Sequence, residues 1–174
     1  MVALSVHTSF PAQYTTPVDS NLSFPHKPQA TSHRRFAPIM RWVIGMGNRA
    51  RDWFAQAERD LEQARESRSS NRHEWACFAS HQAAEKAVKA LHLALGQEAW
   101  GHVVARLLQE LPPEHRADPE LIDKAHVLDS FYVAARYPNG HVEGAPFEHY
   151  GDLQSKEAIG YAGEILGLVR PHLA

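Results

Sequence analysis

Apolar residues recur every three or four positions through most of the chain after residue 48, and this spacing predicts amphipathic helices. The first covers residues 49–67, and the turn after it ends at Asn71, which is placed to cap the second helix. The second covers residues 72–95 and stops at Gly96. Its apolar face begins with small side chains, so we expect a neighbouring helix to pack very closely against it.

Three further helices are predicted in the second half of the chain. A short one over residues 103–111 is stopped by two prolines, and a longer one opens at Asp118 and carries its apolar stripe to Ala135. The last begins at Asp152 or Ser155. No segment alternates as a strand does, and no internal repeat is visible. The pattern predicts an all-α fold, an antiparallel bundle of four long helices and one short helix.

Residues 1–48 differ in character from the rest. They are rich in Ser, Thr, Pro and His and show neither helical nor strand periodicity, so we predict a disordered extension. Two alternatives are a start placed too far upstream, with Met46 as the true one, and a faint resemblance to an organellar transit peptide. Residues 49–174 are predicted to form a single domain.

Composition narrows the class of protein. The chain has no run of the about 18–20 apolar residues that a membrane helix requires, so we predict no membrane partner. The single cysteine, Cys77, excludes an internal disulfide and is typical of a reducing compartment, which predicts a cytoplasmic protein.

The formal net charge is −2, although residues 1–48 hold four basic side chains and only one acidic one. The helical region is therefore acidic, which argues against broad binding of duplex DNA.

The densest group of reactive side chains follows the helix that ends near Ala135. Arg136 is predicted in its last turn, before the helix breaks at Tyr137-Pro138 and a turn-rich loop begins. A guanidinium at a helix end beside a polar loop is suited to holding a phosphate. His141 lies five residues further on, and the pair could catalyse attack on a phosphate by a ribose hydroxyl. Because arginine and histidine are both common here, such spacings also arise by chance.

Two interpretations stay open for other polar groups. Four of them lie on one side of the second helix at helical spacing: Gln82, Glu85, Lys86 and Lys89. In one interpretation they form a solvated face with local ion pairs. In the other, Lys86 or Lys89 joins Arg136 around a phosphate.

Asp129 lies two turns before Arg136 on the same face, so we expect it to position Arg136 or a neighbouring helix.

The loop after Arg136 also carries residue types that bind metals. These are His141, Glu143, Glu148 and His149, but a loop gives them no fixed geometry. The chain has no glycine-rich phosphate loop, serine elbow, zinc-type cysteine spacing or His-Glu-x-x-His helix. We therefore predict no metal and no cofactor.

Five short segments of the helical region form an ordered set. They are RDW with AERDL at 51–61, CFASHQAAEKA at 77–87, GH at 101–102, LD with Tyr132 and ARYPN at 128–139, and GAPF at 144–147. Taken together and in this order, they resemble the HEPN domain family. The resemblance covers residues 49–172 and implies an all-helical bundle, found chiefly in bacteria and archaea, that often dimerises.

The resemblance also implies several functions. Many members are partnered with a small, separately encoded nucleotidyltransferase, some bind nucleotides, and some are metal-independent ribonucleases whose motif is Arg, four to six residues, then His. Arg136 and His141 fit that motif. Toxin-type members continue as His-x-Tyr, but this chain has Glu143 there, which would repel RNA phosphate. The Arg-Tyr-Pro form with a downstream Gly-Ala-Pro resembles the nucleotide-binding subgroup more closely.

The leading hypothesis is an accessory module that forms a homodimer and binds a nucleotide or a small nucleotidyltransferase. Its candidate nucleotide-binding residues are Lys86, Lys89, Asp129, Arg136 and Tyr137. One alternative is a toxin-like endoribonuclease that cleaves RNA with Arg136 and His141 as catalytic residues. The other is a purely structural bundle that mediates association through its Ala-rich helix.

Overall fold

The structure, a computed structural model, describes residues 49–173, so the extension predicted over residues 1–48 lies outside the described residues. Within them five α-helices are joined by loops and short 3₁₀ turns, and there is no strand. The helices are α1 (Ala50–Ser69), α2 (His73–Ala94), α3 (Val104–Gln109), α4 (Pro119–Ala134) and α5 (Asp152–Val169). The prediction of an all-α fold with four long helices and one short helix is confirmed.

A tight turn joins α1 and α2 into a helical hairpin. Asn71 adopts a left-handed conformation with φ of 56°, which asparagine tolerates better than most residues. The prediction that Asn71 caps α2 is wrong, because the cap position falls on Arg72 and no side chain bonds the free amides there. Asn71 instead reverses the chain before the helix begins.

The second helix lies at the centre of the bundle, where it contacts all four of the others. Five of its alanines have no exposed surface: Ala76, Ala83, Ala84, Ala87 and Ala90. Small side chains let neighbouring helices approach closely, as the sequence predicted for this face. None of the helices in residues 49–173 is long and apolar enough to cross a bilayer.

Two side chains fix α4 and α3 in place. Asp118 caps α4, since its Oδ1 accepts the amide of Leu121 at 2.7 Å, as the sequence predicted. The buried His92 of α2 lies with Nε2 2.9 Å from the carbonyl oxygen of Leu107, which ties α3 to the central helix. The first contact defines where α4 begins, and the second holds α3 against α2.

Candidate functional site

Arg136 is the second residue after the end of α4, just beyond the turn in which the sequence placed it, and its side chain folds back onto that helix. Its Nε and Nη2 donate to the carbonyl oxygen of Tyr132 at 2.8 and 2.5 Å. That oxygen belongs to the last helical turn, whose carbonyls have no partner within the helix and whose dipole favours a cation. The helix end thus orders the arginine.

Three aromatic rings surround this guanidinium. Its carbon lies 4.4 Å from the ring centroid of Phe78, 4.7 Å from that of Tyr132 and 5.0 Å from that of Tyr137. Such contacts attract a cation and restrict how it can turn. Among residues 49–173, Nη1 of Arg136 has no hydrogen-bond partner. That edge of a fixed cation is available to an anionic ligand.

His141 lies against the same helix end. Its Nε2 is 2.8 Å from the carbonyl oxygen of Ala134, so this nitrogen donates and Nδ1 is left to accept or take a proton. Its ring stacks on that of His149, with centroids 3.9 Å apart and planes within 3°. Arg136 and His141 therefore both bond to the end of α4, at backbone carbonyls that are two residues apart.

Two further polar side chains of the loop, His149 and Glu148, bond to the loop itself. His149 Nε2 lies 2.7 Å from the carbonyl oxygen of Glu143, and Glu148 accepts the amide of Ala145 at 2.7 Å. Gly144 takes the left-handed conformation, with φ of 77°. Within the described part of the chain, no three His, Cys, Asp or Glu side chains converge as metal ligands.

Gly140 lies close against α4. A Cβ there would lie 2.7 Å from Cα of Ala134 and 3.0 Å from its Cβ. Gly140→Ala must push the turn that carries His141 away from the helix. We expect it to lower the free energy of unfolding by about 1–3 kcal/mol, as overpacking does. Urea unfolding followed by circular dichroism measures the loss.

Gly160 in α5 provides the matched control. A Cβ there meets nothing within 4 Å, and alanine favours a helix over glycine. Gly160→Ala is therefore expected to leave stability unchanged or to raise it by up to about 1 kcal/mol. Equal behaviour of the two variants would show that the approach to Ala134 is not what requires glycine at 140.

The polar side of α2 has a local ion pair, between Lys89 and Glu85, as one interpretation expected, but Glu85 is not solvated. Glu85 is only 5% exposed. Burial would raise the pKa of its carboxyl, but hydrogen bonds and charge from Lys89 and His102 lower that pKa below its usual range. Lys89 bonds Glu85 at 2.8 Å, while Lys86 bonds Asp60 of α1 at 2.5 Å. The solvated-face interpretation failed for Glu85 because the loop that carries His102 packs against this carboxylate, which a pattern within one helix does not reveal.

Asp129 takes the second of the two roles that the sequence left open for it. One carboxylate oxygen accepts the amide of Val104 at 2.6 Å, and the other accepts the amide of Ala105 at 3.1 Å. These are the first two residues of α3, so Asp129 caps that short helix from α4. Any effect of Asp129 on a ligand at Arg136 is therefore indirect, through the helix that it holds.

A groove of about 610 Å³ runs between α1 and α2 beside the arginine. Trp75 and Phe78 give it aromatic walls, and Lys86 and Asp60 lie along it as an ion pair. Phe78 also carries the guanidinium of Arg136 on its ring, so it links the groove to the end of α4. The groove can accept a flat group, and the arginine can accept an anion beside it.

Sequence reasoning found Tyr137 but missed the other aromatic side chains of this site. Tyr132 precedes Arg136 by four residues, a helical spacing that could have signalled their contact. Trp75 and Phe78 are on another helix, and no local pattern connects them to Arg136. His102 was noted only as part of a motif, yet its ring stacks on that of Tyr132 at 4.9 Å.

Comparison with known proteins identifies the family. The model of the HEPN domain matches residues 50–172. The structure is similar to that of TT1696 from Thermus thermophilus, with 45% identity, a TM-score of 0.70, and coverage of 72% of this chain and 98% of that one.

Two further solved structures are similar. ST0689, an archaeal HEPN homologue, is 42% identical with a TM-score of 0.61, covering 72% of this chain and 98% of that one. An HEPN domain protein from Thermotoga maritima is 34% identical with a TM-score of 0.58, covering 70% and 97% respectively. No protein of curated function matches the chain. The family model and these structures agree, and the chain belongs to the HEPN domain family.

Proposed function

We propose that this HEPN domain is an accessory module in which Arg136 binds the phosphate of a nucleotide. The observation that supports it is the guanidinium fixed on the Tyr132 carbonyl among three rings, with Nη1 open. A planar guanidinium pairs well with phosphate oxygens. Because its side chain is ordered in advance, little conformational entropy is lost when the ligand binds.

The groove between α1 and α2 offers a place for the base. Its volume of about 610 Å³ lies within the range of small-molecule sites, about 300–1,000 Å³. The half-exposed ring of Trp75 and the ring of Phe78 line the groove and are suited to contacting a base. Of the proposed nucleotide contacts, Lys86 lines the groove, Arg136 lies on Phe78 at its edge, and Tyr137 lies against Arg136. Lys89 bonds Glu85 and Asp129 bonds the start of α3, so we assign these two residues an indirect part.

Calorimetry on the full chain in the presence of a chelator tests this proposal. Nucleoside mono-, di- and triphosphates should bind without any metal, and the matching nucleoside without phosphate should bind at least about tenfold more weakly, since charged hydrogen bonds are lost. Equal affinity for nucleoside and nucleotide would contradict a phosphate site at Arg136.

An endoribonuclease that uses Arg136 and His141 is the second candidate. It is favoured by the placement of both side chains at one helix end, with Nδ1 of His141 free to take a proton. Incubation of RNA with the protein in chelator separates the two functions. We expect no cleavage; cleavage that His141→Ala abolishes would reject the accessory module.

The proposal includes pairing with a small nucleotidyltransferase and formation of a homodimer. Exposed apolar side chains on and beside the loop after α4 support an interface there: Tyr137 at 53% exposed, Val142 fully exposed and Phe147 at 65%. Large apolar side chains of this kind are more common at interfaces than on the rest of a surface.

A further inference from the structure

His102 is held at two points, although it lies in the loop before α3. Its ring stacks on that of Tyr132, with centroids 4.9 Å apart and planes within 15°. Its Nδ1 lies 3.1 and 3.3 Å from the two carboxylate oxygens of Glu85. The side chain is nevertheless 57% exposed, so protons reach it freely from solvent.

Tyr132 is the residue on which Arg136 rests. Its carbonyl oxygen accepts two of the guanidinium's donors, and the guanidinium carbon lies 4.7 Å from its ring centroid. Whatever fixes the Tyr132 ring therefore also fixes the cation of the proposed phosphate site. His102 is the aromatic group stacked in parallel on that ring.

The charged and titratable groups around His102 lie on two helices or just after one of them. They are His81, Glu85 and Lys89 of α2, with Asp129 and Tyr132 of α4 and Arg136 just after it. Glu85 is ionised at neutral pH and accepts from both Lys89 and His102. When His102 takes a proton, it gains an ion pair with this buried carboxylate and a cation–π contact with Tyr132. Repulsion from Arg136 is weakened by the nearby carboxylate and by solvent.

We propose that His102 is a positioning residue for the phosphate site, and that its protonation tightens nucleotide binding by strengthening the stack that holds Tyr132 under Arg136. The inference rests on the proposed nucleotide binding at Arg136. It adds a form of regulation to that site: affinity rises as the pH falls and His102 gains a positive charge.

Calorimetry with a nucleoside diphosphate at pH 6 and pH 8 tests the inference with three proteins. At pH 6 the wild type should bind the nucleotide about threefold more tightly than the His102→Phe variant does. At pH 8 the two proteins should bind it with about equal affinity. Phenylalanine keeps the stack but cannot be protonated. His102→Ala removes the stack and should bind more weakly than both at either pH. The phosphate of the ligand titrates in every case, so comparison between proteins cancels its contribution.

Two results would overturn the inference. One is the same pH dependence in the wild type and in His102→Phe, and the other is wild-type affinity in His102→Ala. If no protein binds a nucleotide, the proposed function fails, and the NMR resonance of the Arg136 Nε–H group decides the positioning role without ligand. A shift between pH 8 and pH 6 that His102→Phe abolishes would support it; an identical shift in both proteins would overturn it.

Discussion

Asp129→Ala is expected to lower the free energy of unfolding by about 2–4 kcal/mol, because two amides of α3 lose their acceptor. The carboxylate bonds the amides of Val104 and Ala105, whose side chains are wholly buried. It also lies 3.4 Å from Nε2 of the buried His81. Water cannot easily replace an acceptor at such a site. Urea unfolding followed by circular dichroism measures the difference.

Asp123→Ala is the control for this prediction. Asp123 lies on the same helix, is exposed, and bonds no other residue in the described part of the chain. Its replacement should change stability by no more than about 0.5 kcal/mol. If the two alanine variants were equally stable, Asp129 would not hold α3 in the way its contacts indicate.

Arg136→Ala is expected to weaken nucleotide binding by about 10- to 100-fold. This loss of affinity corresponds to the free energy of one or two charged hydrogen bonds. Arg136→Lys should fall between this variant and the wild type. Lysine keeps the charge, but a single ammonium group cannot both bond the Tyr132 carbonyl through two donors and lie flat among the rings. Calorimetry gives the affinities, and unfolding curves recorded in parallel show that each variant is folded.

Arg116→Ala provides the matched control for the loss of a cation. Arg116 is exposed and precedes α4, whose 16 residues separate it from Arg136 by about 24 Å along the helix axis. Its removal should leave the affinity unchanged. An equal loss in the Arg116 and Arg136 variants would indicate a general effect of charge on an anionic ligand, with no specific site at Arg136.

The helices could be predicted because their signals are local. Asp118 before Pro119 marks the start of α4, and Gly96 marks the end of α2, since each acts on backbone groups within one turn. The prediction that Asn71 caps α2 was wrong for a physical reason. Asparagine is common both as a helix cap and as a left-handed turn residue. The two roles differ by one position, which spacing does not resolve.

The site was only partly predictable, because its partners come from distant parts of the chain. Arg136 was found from its place at a helix end. Its contact with Phe78, 58 positions earlier, depends on how α4 packs on α2. Burial of Glu85 likewise depends on the loop that carries His102. The helical pattern places such residues on a face, but the packing of the bundle decides what that face meets.

The central claim is that Arg136 holds the phosphate, and the NMR resonance of its Nε–H group tests this most directly. Titration with a nucleotide should shift that resonance and saturate at the dissociation constant found by calorimetry. Inorganic phosphate at higher concentration should shift it in the same direction. Binding that calorimetry detects while the Arg136 resonance stays in place would contradict the claim.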